Sequence, residues 1–501
     1  MQVKIMVGTR GVIGIRRENK SMWERRCPLV PEDVKVLIDS GIRVLVQPSA
    51  LRCYSDQAYL QVGAEVTEDL SPANVVLGIK EVGMEFLQAG QTYVMFTHVA
   101  KAQPYNMPLL DKLLELGTRV IDYEYIQDPN PPKNRLIAFG RFAGMGGVID
   151  YFRGLGLYLL KRNTSSPFLY MGSSYMYPDI ENAKEAVRTM GRMIAAEGLP
   201  ASLTPMVFGV SGNGRVGQGA WEILQLLPHT VVPPERLSDP EIYANAGNQV
   251  FITMFTEQHM AERKDGGEFN LQEYYKSPEL YKGVFDERYL RYLSVLVNCI
   301  FYDQQYPKLL YIETMRNYVL SGQRKFLGTC DISCDRKGAI EYTRKFTDPQ
   351  TPWFLYNALS DCFYEVDTSH CTDSFLHYTL DFIPSEFARD SSQHFSKINV
   401  NFTKILAWDD STLEYEGSTL PVELKEAAIV WHGKLTPRFQ YIPEMRLKRV
   451  VELQAETLES RICAILQVHP DLSSDLIQVQ SGEPASADLK AALQALGAAL
   501  G

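Results

Sequence analysis

The chain has 501 residues, room for two or three domains of about 150 residues each. Hydrophobic residues at 45% and charged residues at 22% are those of a globular protein. The net charge of −10 excludes a general nucleic-acid-binding surface, which needs clustered positive charge. No run of about 18 apolar residues free of charge occurs, so no membrane span is expected. The opening Met1-Gln-Val-Lys-Ile-Met-Val is too short and too quickly charged for a signal peptide, and it lacks the Arg/Ser-rich character of a transit peptide. The expected location is cytoplasmic, or mitochondrial if a transit peptide has been removed. Eight scattered cysteines do not suggest a disulfide framework. Cys330 and Cys334 lack a second Cys/His pair to complete a zinc site and read as structural thiols.

In chain order, short β-branched runs come first: Val12–Ile15, Arg43–Val46, Val75–Ile79, Thr92–Phe96 and Arg119–Tyr123. Helical patterns at Pro31–Ser40, Asp56–Val62 and Met107–Leu116 separate them. Strands alternating with helices predict a parallel sheet with right-handed crossovers, and runs apolar on both faces fit buried parallel strands. A Gly-, Ala- and Met-rich helical segment, Phe139–Lys161, leads to a second unit. It is followed by a helix over Ile180–Glu197 and a strand over Met206–Val210. Later strands are expected at Leu293–Ile300 and Phe326–Ile332, and a helix from about Ser385 to Leu406 carries the chain back. The fold class is therefore α/β, with two Rossmann-like, doubly wound parallel-sheet domains and an active-site cleft between them. The expected domains are 1–138 plus 386–475 for substrate and 139–385 for dinucleotide, with 476–501 as an Ala/Ser/Gly-rich tail or linker.

The strand ending at Val210 runs into Ser211-Gly212-Asn213-Gly214-Arg215-Val216-Gly217-Gln218-Gly219, followed by an apolar helix over Trp221–Leu227. Gly212 permits a tight turn, and Gly214 lets the backbone approach a pyrophosphate. Gly217 and Gly219 let the helix pack closely on its strand. The helix N-terminus offers free N–H groups to phosphates. The next strand, Thr230–Val232, is followed by Glu235 and Arg236. Glu235 is placed to hold a ribose diol, favouring NAD; Arg236 could pair with a 2′-phosphate, favouring NADP.

Ligands of open α/β sheets gather at the carboxyl ends of strands. Arg16, Lys80 and His98 follow three of the predicted strands, and Asp122 and Tyr123 close the next. Arg16 and Arg26 suit bidentate clamping of carboxylates. Burial and neighbouring cations lower the pKa of Lys and His, which equips Lys80 and His98 for proton transfer.

Several stretches resemble one family. Ile15-Arg16-Arg17-Glu18-Asn19-Lys20 and Trp23-Glu24-Arg25-Arg26-Cys27-Pro28-Leu29-Val30-Pro31 are similar to the N-terminal motif of alanine dehydrogenases, proton-translocating transhydrogenases and saccharopine-forming enzymes. Leu77–Lys80, Phe96–Gln103, Phe139–Gly147, Ser294–Ile300, Tyr306–Leu310 and Cys330–Asp335 narrow it to the lysine–ketoglutarate reductase domain of aminoadipic semialdehyde synthases, from about residue 10 to about 450. The resemblance implies reductive condensation of L-lysine with 2-oxoglutarate to saccharopine, or its reverse, with Lys80 and His98 as the acid–base pair. It implies Arg16, Arg26, Lys101, Arg141 and Asp335 around substrate, and Asp331 and Asp381 beside the nicotinamide. Val216 and Gly219 match the family's glycine fingerprint, while Gly217 is an addition. NADPH is the implied coenzyme, with NADH as the alternative. Partners are the two small substrates, with no nucleic acid and no membrane; the chain would form a homo-oligomer or be natively fused to a saccharopine-cleaving domain. The rival readings are an alanine dehydrogenase-like enzyme using ammonia, and a non-catalytic nucleotide-binding regulator.

Overall fold

The computed structural model describes residues 9–130, 134–366, 371 and 374–449. The expected tail, 476–501, lies outside them. The N-terminal part alternates strands and helices: β1 (Thr9–Ile15), α1 (Pro31–Asp39), β2 (Arg43–Val46), α2 (Asp56–Gln61), β3 (Glu65–Val66), β4 (Ala73–Leu77), β5 (Thr92–Met95), α3 (Met107–Glu115) and β6 (Arg119–Asp122). Local chemistry explains several boundaries. Helix α1 begins on Pro31, whose fixed φ suits a first helical position, and Glu32 and Asp33 face the positive end of the helix. Ser55 caps α2 by accepting from the Ala58 N–H. All of β4 is buried, as a strand covered on both faces must be.

Helix α4 (Gly140–Lys161) crosses to the second half, followed by α5 (Ile180–Glu197), β7 (Val207–Ser211), α6 (Arg215–Leu224), β8 (His229–Val231) and β9 (Val250–Phe255). Asp179 caps α5, and Gly198 ends it at φ 78°, a left-handed conformation that favours glycine. Short helices α7 (Glu257–Met260), α8 (Leu271–Lys276) and α9 (Phe285–Tyr289) surround the hairpin β10 (Ala261–Arg263) and β11 (Tyr281–Gly283). Then come β12 (Val295–Asn298), α10 (Ile312–Leu320), β13 (Gly328–Asp331), β14 (Trp353–Asn357), β15 (Cys362–Tyr364) and β16 (Phe375–Tyr378). Helix α11 (Ala388–Trp408) returns to the first half, which β17 (Ala428–Trp431) and β18 (Lys434–Leu435) complete.

Among the described residues there are two eight-stranded sheets, ordered β18-β17-β6-β5-β4-β1-β2-β3 and β15-β14-β16-β13-β12-β7-β9-β8. The two Rossmann-like α/β units expected from the sequence are present, with two differences. Each sheet carries antiparallel strands at one edge: β17 against β6, and β14 against β16 and β15. Helix α6 begins at Arg215 rather than Trp221. Glycines disfavour helix locally, but packing on α4 outweighs that preference.

The two crossings lie side by side. Phe139, just ahead of α4, stacks on Phe395 of α11 with centroids 5.3 Å apart and planes 12° apart. Tyr123 meets Phe395 edge-on at 4.8 Å. Helix α4 is buried on most of its circumference, as a helix clasped between elements is. None of the described helices is long and apolar enough to cross a membrane.

Candidate active site

The C-terminal ends of β1, β4 and β5 bring Arg16, Lys80 and His98 together, each held by a carboxylate. Buried Glu18 accepts from the Ile79 N–H at 2.8 Å and the Lys80 N–H at 3.0 Å, and its carboxylate meets the Arg16 guanidinium at 3.3 Å. Burial raises the Glu18 pKa against the pull of Arg16. Glu24 takes a bidentate pair from Arg26, at 2.8 and 2.6 Å, and that guanidinium rests 4.7 Å from the Phe139 ring. Glu81 accepts from Lys20 Nζ at 2.7 Å, from Asn106 Nδ2 at 3.2 Å and from His98 Nδ1 at 2.7 Å.

Within this cluster Lys80 differs from its neighbours. Its ammonium makes no hydrogen bond or ion pair among the described residues, whereas Arg16, Lys20 and Arg26 are all paired. Burial, then the charge of Arg26, lowers its pKa.

His98 sits at φ 54°, a left-handed conformation unusual for a non-glycine residue. Fixing it is the work of its neighbours. Asp122 accepts from the Thr97 N–H at 3.0 Å and from Thr97 Oγ1 at 2.5 Å, and Asn106 Nδ2 donates to the Thr97 carbonyl at 3.1 Å. Burial pushes the Asp122 carboxyl up to about 6. Because ionised Glu81 is an acceptor, His98 Nδ1 carries the proton of their bond and Nε2 is left for chemistry.

Burial alone would raise the Glu81 pKa, but His98 and Lys20 hold it well below the carboxylate range. A depressed carboxyl contributes stability above its unfolded value near 4.3, and that contribution is lost as pH falls through the folded value. Glu81→Gln is therefore expected to lower stability by about 2 kcal/mol at pH 7 and by less at pH 3, below the unfolded value. Urea midpoints at the two pH values check this; an equal deficit at both would show that the charge of Glu81 is not what matters.

The second sheet turns its own strand ends toward this cluster. Lys101, beside His98, is the neighbour whose charge lowers the Asp335 pKa against the rise caused by burial. Burial, then the charges of Glu81 and Asp381, raise the Tyr105 phenol. Trp23 and Tyr175 meet across the same gap at 5.1 Å.

The glycine loop is shaped by close backbone packing on one side and open space on the other. Gly212 adopts φ 90°, and a Cβ there would lie 2.9 Å from Ile300 Cγ2. A Cβ on Gly217 would overlap the Gly212 carbonyl oxygen. Gly214 caps α6 at φ −77° with no side-chain cap, and a Cβ there would meet nothing within 4 Å. The protein's own packing does not require glycine at 214, which fits a position kept open for a ligand's pyrophosphate at the helix N-terminus.

The other expected site residues have these surroundings. Asp331 is 1% exposed and is bonded to Asn298 Nδ2 (2.8 Å), Thr343 Oγ1 (2.5 Å) and the Cys334 N–H (3.2 Å), so it holds the loop after β13. Arg141 is paired with Glu222, tying α4 to α6. Arg236 is paired with Asp239 at 2.6 Å. Glu235 bonds His259 Nε2 at 3.0 Å. Arg16 and Arg26 are paired with Glu18 and Glu24. Gly219 packs on the backbone of α4, with Arg141, rather than on its strand; Val216 meets Gly140 and Gly144 there. Glu18, Glu24, Glu81 and Asn106 were missed. Their signal was the acid two residues after Arg16, two before Arg26 and one after Lys80.

Two parallel-rich sheets with a glycine loop on one and titratable groups on the other define an α/β dehydrogenase-type architecture. L-alanine dehydrogenase shares it: the TM-score is 0.54 at 18% identity, covering 87% of this chain and 99% of that one, a likeness of fold. Residues 14–145 match the family model of the alanine dehydrogenase/PNT N-terminal domain. By sequence the chain is related to the alpha-aminoadipic semialdehyde synthases. It is 39% identical over 463 residues to that of Arabidopsis thaliana, covering 89% of this chain and 42% of the relative. To the mitochondrial one of Bos taurus it is 32% identical over 455 residues, covering 88% and 48%. The chain thus spans less than half the length of these relatives. Over 398 residues it is 24% identical to the saccharopine dehydrogenase (NAD(+), L-lysine-forming) of Neurospora crassa, covering 77% of this chain and 88% of that one.

Proposed function

We propose that the chain is a nicotinamide-dependent oxidoreductase that joins L-lysine to 2-oxoglutarate through a secondary amine, forming saccharopine, or runs the reverse. The observation that carries this reading is the unpaired, partly buried Lys80 ammonium in one cluster with a His98 ring oriented by Glu81. Residues 1–138 with 386–475 form the substrate half in this reading, and 139–385 the nucleotide half. Gly212, Gly214 and the α6 N-terminus would hold the coenzyme's pyrophosphate, and the reduced nicotinamide supplies a hydride.

Lys80, as the neutral amine that its lowered pKa favours, takes the proton that the ε-amine of lysine releases as its nitrogen bonds to the ketone carbon of 2-oxoglutarate, and returns it to the ketone oxygen to give the carbinolamine hydroxyl. His98 Nε2, protonated, gives its proton to that hydroxyl, which leaves as water. The resulting protonated imine is reduced to the secondary amine. Each such transfer is worth roughly 10²–10⁴ in rate. Lys101 and Asp335 face the gap and contact the charged ends of the substrates. Asp381 lies on the nucleotide side of it, near Cys334 and Tyr105. The resemblance favours NADPH, and the residues bearing on that choice are at the end of β9.

Coenzyme absorbance distinguishes the readings. Oxidation of reduced coenzyme is expected with 2-oxoglutarate plus lysine. Oxidation only with pyruvate plus ammonia would favour the alanine dehydrogenase-like alternative and sink this one.

A further inference from the structure

In a doubly wound sheet, the adenosine ribose of a dinucleotide is read at the end of the strand beside the glycine-loop strand, where an acid binds the 2′-hydroxyl and an arginine accommodates a 2′-phosphate. Chain order nominates β8, with Glu235 and Arg236 after it. The sheet does not follow chain order. Strand β9 pairs with β7 from Val207↔Phe251 to Ser211↔Phe255, and β8 lies outside it, paired to β9. The Gly212 N–H donates to the Phe255 carbonyl at 2.9 Å, so the end of β9 is level with the first glycine of the loop. Two residues beyond Phe255 is Glu257.

We infer that Glu257 receives the adenosine ribose hydroxyls and makes this chain select NADH over NADPH. The assignment rests on the nicotinamide reading above. Its support is the way the turn is built. Thr256 caps α7, and His259 Nδ1 accepts the Thr256 N–H at 3.0 Å. With Nδ1 an acceptor, the ring proton is on Nε2 and is donated to Glu235. Glu235 is thereby a positioning residue: it fixes the tautomer of the histidine that fixes the turn. Tyr275 donates to Glu257 Oε1 at 2.5 Å, which orients the carboxylate and leaves Oε2 to accept from a ribose hydroxyl.

The surrounding charges exclude a 2′-phosphate. Glu257 and Glu235 flank the turn as two carboxylates. Cations near it are paired: Arg236 with Asp239, Arg263 with Asp265 and Glu273, and Arg288 with Glu262. Arg215, at the start of α6, lies beside His394 of α11, toward the crossing helices rather than β9. A 2′-phosphate would meet two negative groups and, among the described residues, no free guanidinium at this turn, where its recognition needs a charged donor.

The test is direct titration of the full chain with NADH and with NADPH, without substrates, followed by nicotinamide fluorescence. NADH is expected to bind at least tenfold more tightly. Glu257→Gln is expected to weaken NADH by roughly 10- to 100-fold, the value of a hydrogen bond to a charged group, and to leave NADPH unchanged or improved. Glu257→Asp, which keeps the charge, is expected to retain the preference for NADH. NADPH binding as tightly as NADH in the parent chain, or equal weakening of both by Glu257→Gln, overturns the assignment. Failure of both coenzymes to bind overturns the nicotinamide reading instead.

Discussion

Lys80→Met is expected to lose turnover by roughly 10²–10⁴-fold while gaining resistance to urea at neutral pH. The two effects have one origin. The Lys80 ammonium is partly buried beside Arg26 and has no ion-pair or hydrogen-bond partner among the described residues, so its charged form is disfavoured and its pKa lowered. A lysine whose folded pKa lies below its unfolded value near 10.4 opposes folding by an amount fully present below the folded pKa, and relieved as pH rises to the unfolded one. Methionine keeps most of the side chain's volume and removes that opposition. The gain in urea midpoint is expected at pH 7 and should vanish by about pH 10.5. Turnover is measured with lysine, 2-oxoglutarate and the reduced coenzyme. Full activity in Lys80→Met would remove the proton-transfer role, and a loss of stability at pH 7 would contradict the unpaired charge.

Gly219→Ala carries the largest expected effect on stability, about 3 kcal/mol of destabilisation. Its Cβ would overlap the backbone carbonyl of Arg141, and the converse contact is equally tight, since a Cβ on Gly144 would overlap the Val216 carbonyl. Both obstacles are main chain inside helices, which cannot swing aside as a flexible side chain can. Helices α4 and α6 must therefore separate, and the core they share around Phe142, Met145 and Ala220 opens with them. Gly214→Ala is the internal comparison: with open space around the position and φ −77°, stability should stay within about 0.5 kcal/mol of the parent, while binding of reduced coenzyme weakens. Urea denaturation and coenzyme titration of the two variants should give opposite orders of severity.

These residues also mark what a linear reading captures. Strands β1, β2, β4, β5 and β6 are legible because each is a short β-branched run bounded by turn residues, and their carboxyl ends follow from the parallel pattern. Lys80 and His98 are legible for the same reason. Strand order is not, because nothing local in Val250–Phe255 states that it inserts between β7 and β8. That single insertion puts Glu257, rather than Glu235, just past the end of the strand beside β7. The carboxylates were missed for a related reason. Glu18, Glu24 and Glu81 look like ordinary solvated acids in sequence, and their value appears only when folding places them against Arg16, Arg26 and His98. Asp331 shows the converse: its place at a strand end is legible, but its burial against Asn298 and Thr343 is not.

The chain passes between its two sheets twice, and the passages touch where Phe139 stacks on Phe395. A body tethered by one strand of chain can swivel in any direction; one attached at two adjacent points turns about the line joining them, as a book turns about its spine. Displacement in such a turn grows with distance from the spine. Arg26, resting on the Phe139 ring, is beside that line, so a turn about it would leave Arg26 and its neighbour Lys80 almost in place.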